Sequence, residues 1–567
     1  MERGSVERQV EHEVDLVVIG AGAGGMTAAL VAAVLGLDVL LVEKTAVVGG
    51  TTALSAGSVW IPNSQHSAPG SDHTDNTLRY LRAAIGNRLR VALTDAFLAA
   101  GPPMVRFLEQ HSAVAFRAYP YHPDYLADLP GATLSGRVLE TLPFDARVLG
   151  RDFARLRPPL PEFTLLGGLM VDRADVAHLL GATRSVASLR HSARLLLRYG
   201  TDRLRHSRGT RLVMGNALAG RLFYSLLQRG VPVRTATSVS ELTLMNGRVI
   251  GATLDSPDGI ATVRSRFGVV LATGGFSRHP ELRRRLLPEP LCEHSPLVES
   301  ATGDGVMLGQ QAGGHLGSDH ANNSFWAPVS IRARADGSTA VFPHFVLDRG
   351  KPGLIAVDSK GRRFVNEATT YQRFAEAMYA EHAITPTIPC FFLCDDRFIA
   401  KYGLGMVRPR RSNLRRAVAD GYLVRAGTLA ELAQALGIDP TTLEETVARH
   451  NEFAASGVDL DFGKGSDAYQ RNLGDPGHAP NPCVGPIRAP PFYAIKVYPG
   501  DIGASCGLVT NEAAQVMRPD GTAIEGLYAC GNDMDSLMAG IYPAPGVTLG
   551  PAMTFGYLAA RHAAARR

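Results

Sequence analysis

Apolar residues fill 14–43, VDLVVIGAGAGGMTAALVAAVLGLDVLLVE, in three blocks separated by glycines and closed by an acid. Residues 14–19 are a short continuous apolar run, which predicts a buried strand. Gly20, Gly22 and Gly25 follow with G-x-G-x-x-G spacing, then an Ala-rich helical stretch, then a second apolar strand at 38–42 that ends on Glu43. Each glycine has a mechanical duty here: a tight turn, close approach of backbone to a pyrophosphate, and tight helix–strand packing. The helix start at Ala23 offers free N–H groups and the positive dipole end to phosphates. Glu43, about twenty residues past the loop, is placed to hydrogen-bond a ribose diol. The pattern predicts a dinucleotide site.

The continuation KTAVVGGTTALSAGSVWIPN narrows the dinucleotide to FAD. After Lys44, the run Gly49-Gly50-Thr51-Thr52 brings backbone and hydroxyls to a flavin's diphosphate and ring. Ser55, Ala56 and Gly57 are small, as a surface against a planar ring requires. Nicotinamide-binding units do not usually follow the acid in this way.

Residues 75–111 carry apolar positions at three- and four-residue steps and read as helices. FRAYPYHPDYLADLPG then breaks the pattern. Its prolines exclude regular helix, and it holds Tyr119, Tyr121 and Tyr125. Helical periodicity returns over 173–229. The next stretch, to about 277, alternates as strands with turns at Asn246-Gly247 and Asp258-Gly259. Val239 lies where a strand would offer backbone to adenine. Residues 269–275, VVLATGG, form a buried strand whose small end (Ala272, Thr273, Gly274) is suited to pass beneath a nucleotide.

From about 290 to 487 the pattern is mixed, with a helical run at 427–456, and reads as an inserted domain. Strands resume over 507–532, where GLYACGND sets Gly531 and Asn532 in a small-residue turn. The last segment is a loop entering a helix near Gly550 or Pro551. Its start points toward the flavin ring, beside Val547 and Leu549. The expected fold is α/β: a Rossmann-like FAD-binding domain of the glutathione-reductase type with an inserted α+β capping domain. The boundaries are 1–289 and 488–567 for the FAD-binding domain, and 290–487 for the insert.

At 567 residues the chain exceeds one ordinary core. Its 45% hydrophobic and 20% charged content fit a soluble globular protein. MERGSVERQVEHEVD has no apolar h-region, so no signal peptide is expected, and no transmembrane span is needed. Six scattered cysteines, Cys292, Cys390, Cys394, Cys483, Cys506 and Cys530, show no metal or disulfide framework. Reduced thiols and a cytoplasmic location follow. A net charge of +5 gives no reason to expect nucleic acid. Residues 184–211 are basic, with eight arginines against Asp202 and with interleaved leucines. Peripheral contact with an anionic membrane is one reading of this segment. A solvated helix face is the other and the preferred one.

GAGAGG, VEKTAVVGGTTALSAG, TGDG, GRRFVNE, GLYACGN and YPAPGVTLGPAMTFGY together resemble the fumarate reductase/3-ketosteroid dehydrogenase flavoproteins over nearly the whole chain. The fumarate-type members hold carboxylates with two arginines and a histidine. Here the residue after FVNEATT is Tyr371, GDIGASCGL has no histidine, and the last loop has Tyr542. No guanidinium clamp for a dicarboxylate is expected. The tyrosines instead look like those of 3-ketosteroid Δ1-dehydrogenases, which implies roles for Tyr125, Tyr371, Tyr542 and the N–H of Gly546.

The resemblance implies that Tyr542 and Gly546 donate to a C3 carbonyl oxygen, as an oxyanion hole does. It further implies that Tyr371 removes the C2 proton with help from Tyr125, and that flavin N5 takes the C1 hydride. YPYHPDY is one residue longer than the family loop, so Tyr119 and Tyr121 stay open as alternatives to Tyr125. Pro545 stiffens the turn before Gly546. Desaturation at the 4,5 bond, another ketone desaturase or ene-reductase, a fumarate-type reductase, and a non-catalytic flavin- or sterol-binding protein are the other readings. FAD attachment is expected to be non-covalent. The electron acceptor is open, with a quinone among the candidates.

Overall fold

The computed structural model describes residues 10–68, 72–291 and 293–567, so Cys292 lies outside the described residues. A six-stranded sheet runs in the order Val233–Arg234, Val39–Val42, Leu16–Ile19, Val269–Leu271, Ala523–Ala529, Gln515–Met517. The first five strands are parallel and the last is antiparallel. Leu16–Ile19, Val39–Val42 and Val269–Leu271 are wholly buried. Such strands read as uninterrupted apolar runs because both faces are covered. Strand 269–275 is therefore shorter than expected: its small-residue end leaves the sheet as a turn. Helix Ala23–Val34 packs against the closing helix Leu549–Ala564. The contact is close: a methyl on Gly556 would lie 2.5 Å from the Gly24 carbonyl oxygen.

A second sheet is antiparallel and separate: Thr339–Pro343, Ser324–Ala333, Phe492–Ala504, Cys390–Asp395 and Leu354–Val357, with Val424–Ala426 also on Phe492–Ala504. Its apolar residues form cores of their own with the helices of the insert. Phe492–Ala504 is its central strand although it follows residue 488. By strand membership the chain re-enters the first sheet only after Ala504. Strands Gln515–Met517 and Ala523–Ala529, within the 507–532 stretch, are the ones that join the first sheet.

Helix Val91–His111 is the one described helix long and apolar enough to cross a membrane, and it packs against Leu549–Ala564. The five described cysteines are free and buried, with Cys390 and Cys394 on one strand.

Candidate active site

The glycines of the first motif divide by what a side chain would meet. A methyl on Gly20 (φ +103°) would lie 2.2 Å from the Ala272 carbonyl oxygen, and one on Gly25 would lie 1.9 Å from that of Gly20. These two are packing glycines. By contrast Gly22 would meet only Thr52 Oγ1 at 3.9 Å, Gly50 only Gly22 at 3.6 Å, Gly531 only Ala552 at 3.8 Å, and Gly274 nothing within 4 Å. Those four face open space, from four chain segments.

The Glu43 carboxylate accepts from Ala21 N at 3.0 Å, and Thr52 Oγ1 accepts from Ala23 N at 3.0 Å. The Glu43 carbonyl accepts from Thr237 N, which brings the strand carrying Val239 beside it. Gly22 supplies no side-chain cap to its helix, and the first turn has no acid. An electropositive, side-chain-free cradle of this kind fits an FAD diphosphate.

Other expected contacts have further duties. Lys44 forms an ion pair with Asp304 at 2.7 Å. Ser55 Oγ donates to the Thr52 carbonyl, Thr51 is half-buried, and Ala56 is exposed. Gly57 is a packing position, since a methyl there would lie 2.3 Å from Gly215 N. Asn532 abuts Gly275 and Gly503, Val547 is buried and Leu549 half-buried. Asp533 escaped the sequence reading. Its buried carboxylate accepts from Gly275 N at 2.8 Å, from Thr273 Oγ1 at 2.9 Å, and from Thr273 N. Burial raises its pKa to about 6.

Tyr125, Tyr371 and Tyr542 come together from segments hundreds of residues apart. Ring centroids are 5.3 Å apart for Tyr125–Tyr371, 5.1 Å for Tyr371–Tyr542 and 5.9 Å for Tyr125–Tyr542. The Tyr371 hydroxyl is hydrogen-bonded with both others, and that of Tyr542 also with Thr548. Phe325 stands edge-on to Tyr542 and Phe345 to Tyr371. Tyr371 opens helix Tyr371–His382, capped by Thr370 Oγ1, which accepts from Arg373 N.

Gly546 has φ +88°, and a methyl there would lie 2.6 Å from the Ser58 carbonyl oxygen. Its own carbonyl accepts from Trp60 N and Gly550 N, while its N–H has no acceptor among the described hydrogen bonds. Tyr119 and Tyr121 are not in the cluster. Tyr119 faces Ser58 and Glu140, and Tyr121 is exposed.

Burial raises the pKa of all three clustered tyrosines. The hydrogen bonds raise Tyr371 further and lower Tyr125 and Tyr542. Tyr125 and Tyr469 line a cavity of about 380 Å³, with Arg373, Asp128 and Asp467.

Tyr80 joins two of the loops: its hydroxyl donates to the Pro543 carbonyl at 2.5 Å and accepts from Leu126 N at 3.2 Å. Tyr125 N also donates to that carbonyl, at 2.8 Å. Tyr80 sits on an amphipathic helix and no local pattern marks it.

A mostly parallel sheet with a glycine cradle, joined by a second sheet unit whose Tyr371 meets Tyr125 and Tyr542, defines an FAD-dependent oxidoreductase. Residues 15–549 match the family described as FAD binding domain, and the chain belongs to that family. It is 38% identical to a 3-oxosteroid 1-dehydrogenase of Mycobacterium tuberculosis over 98% of each chain. It is 35% identical to a 4-oxocyclohex-2-ene-1-carboxylate 5-dehydrogenase of Sinomonas cyclohexanicum, over 97% of this chain and 93% of that one. A crystal structure of 3-ketosteroid Δ1-dehydrogenase from Sterolibacterium denitrificans, in complex with 1,4-androstadiene-3,17-dione, superposes with a TM-score of 0.92 at 35% identity. That alignment covers 98% of this chain and all of the other.

Proposed function

We propose that the protein desaturates the 1,2 bond of 3-ketosteroids, and the observation that carries this is the buried cluster of Tyr125, Tyr371 and Tyr542 beside the free N–H of Gly546. The Tyr542 hydroxyl and Gly546 N–H donate to the C3 carbonyl oxygen and stabilise the enolate that develops there. That acidifies C2. Tyr371 takes the C2 proton as its own proton passes to Tyr125, which begins the step as a phenolate; both phenols end neutral and the negative charge ends on the enolate. A tyrosine near pKa 10 is a weak base at neutral pH, so sharing charge over the pair lowers the barrier. Phe325 and Phe345 exclude water from the reacting face. The bound flavin supplies the two-electron oxidation that turns loss of H⁺ from C2 and H⁻ from C1 into a double bond. Gly22, Gly50, Gly274 and Gly531 would hold it, with Glu43 at the ribose.

Anaerobic mixing of the yellow protein with androst-4-ene-3,17-dione is expected to bleach the flavin and yield the 1,4-diene. No bleaching by the steroid, with bleaching by 4-oxocyclohex-2-ene-1-carboxylate, would transfer the reading to small cyclic enones. A 4,5-unsaturated product from a 5α-reduced ketosteroid would change the regiochemistry.

The acceptor that reoxidises the flavin is assigned to the quinone class, testable by turnover with a soluble quinone. Membrane contact fits helices Arg173–Gly181 and Val186–Arg203. Val186, Leu189, Leu197 and Leu204 there are exposed beside Arg190 and Arg194. A cytoplasmic enzyme touching an anionic leaflet through this face is expected to sediment with phosphatidylglycerol vesicles. Neutralising Arg190, Arg194 and Arg205 should release it; wild type that stays in solution would end the idea.

A further inference from the structure

The guanidinium of Arg349 is wholly buried, and among the described residues no carboxylate forms an ion pair with it. Its donors go to neutral oxygens: Nε to the His344 carbonyl at 2.8 Å, Nη1 to the Glu367 carbonyl at 2.9 Å and to that of Thr369, and Nη2 to the Tyr469 hydroxyl at 3.3 Å. A buried cation without a counter-ion is costly and leaves an unbalanced positive field. Neighbouring Asp348 makes no hydrogen bond with the guanidinium. One of that residue's oxygens accepts from the Arg349 backbone N–H, and the other from His344 and Gly405 N. Tyr469, on a different segment, lies 4.8 Å from Tyr125 centroid to centroid.

We propose that Arg349, which donates to the Tyr469 hydroxyl next to Tyr125, is the counter-charge for the phenolate that Tyr125 holds before the C2 proton is taken. The inference rests on the assignment of Tyr371 and Tyr125 as the base pair. The Arg349 charge lowers the pKa of both Tyr125 and Tyr469, against burial, which raises both. The other groups facing Tyr125 are Tyr371, Tyr542 and His122, with Asp128 and Arg373 in the shared cavity, and burial lowers the His122 pKa to about 4. Tyr469 and Tyr542 raise the Tyr125 pKa, and Asp467 raises that of Tyr469. Of the two cations, Arg373 is exposed and Arg349 is buried. Arg349 also grips Thr369, two residues before Tyr371, so it positions one base while polarising the other.

The test is the pH profile of kcat for Tyr469→Phe, Arg349→Gln and Arg349→Lys, with KM and flavin content measured in parallel. Loss of counter-charge raises the pKa of the base, so the acid limb should move to higher pH. A displacement of about one pH unit, and so about a tenfold lower kcat at neutral pH with recovery in alkali, is expected for Tyr469→Phe. Arg349→Gln should move it further, and Arg349→Lys should restore most of the wild-type profile. A Tyr469→Phe profile unchanged, or lowered equally at every pH, overturns the proposal. Tyr469→Phe decides the matter alone if Arg349→Gln does not fold. Tyr371→Phe separates the two layers: retained activity there refutes the base assignment, whereas an inactive Tyr371→Phe with unshifted Tyr469→Phe refutes only the counter-charge.

Discussion

The nucleotide cradle and the tyrosine cluster solve opposite problems with opposite chemistry. The cradle removes side chains. Gly22, Gly50, Gly274 and Gly531 leave backbone open to a ligand, and Gly20 and Gly25 exist because the chain touches itself there. The cluster crowds side chains. Three buried phenols, with Phe325, Phe345 and Tyr469 around them, are packed ring against ring, stacked between Tyr125 and Tyr542 and edge-on at Tyr371. The first site works through fixed N–H dipoles that need no titration. The second, on the function proposed above, would move a proton in a place where burial opposes charge on each phenol. A backbone site therefore tolerates no methyl, and a phenol site tolerates no loss of a hydroxyl.

Substitutions can set the two against each other. Tyr371→Phe should leave flavin content and fold intact yet cost about 10²–10⁴-fold in kcat, the usual worth of a positioned base. Retained turnover in a steady-state assay would remove Tyr371 from the chemistry. In the cradle, Gly25→Ala forces a methyl into the Gly20 carbonyl and is expected to destabilise by about 4 kcal/mol, seen as a lowered urea midpoint. Gly22→Ala makes the sharper contrast. Its methyl has room in the protein, so unfolding should barely change while FAD affinity falls about tenfold, about 1.4 kcal/mol, measurable by flavin fluorescence on titration.

Tyr80→Phe tests the support of the cluster: it keeps the ring but removes one of the two hydrogen bonds to the Pro543 carbonyl and the one accepted from Leu126 N. A several-fold fall in kcat is expected, about 1 kcal/mol, the scale of one lost hydrogen bond, with flavin affinity unchanged.

A pH dependence of stability lies away from both sites. His450 is buried, with Nε2 facing the Gly485 carbonyl. Burial, with Lys464 and Arg363 nearby, lowers its pKa from 6.5 to about 4. The unfolded chain thus binds the proton more readily. The His450 contribution is complete above pH 6.5 and is lost as pH falls toward 4. His450→Gln should flatten the thermal-midpoint curve over that window.

Much of the cradle was legible because it is local. A strand, a glycine-spaced turn and a helix occupy adjacent residues, and their apolar periodicity is forced by burial on both sheet faces. The tyrosines were found through short motifs of a resembled family, since no periodicity relates residues 125, 371 and 542. Choosing Tyr125 over Tyr119 and Tyr121 needed the fold: Tyr121 is exposed and Tyr119 turns toward Glu140. Asp533, Tyr80, Tyr469 and Arg349 left no signal, because a buried polar residue looks like any other until its partners are known.

The insert shows the same limit. Strand Phe492–Ala504 alternates like any strand, and which sheet it joins is decided by partners at Ser324–Ala333 and Cys390–Asp395. Sequence alone determined the class of fold, the dinucleotide motif and the residue types available for chemistry, since these depend on neighbours along the chain. Tertiary structure decided which phenol meets which, where a buried cation lies, and what water cannot reach. Those depend on contacts across hundreds of residues, whose energies are set by burial rather than by order in the chain.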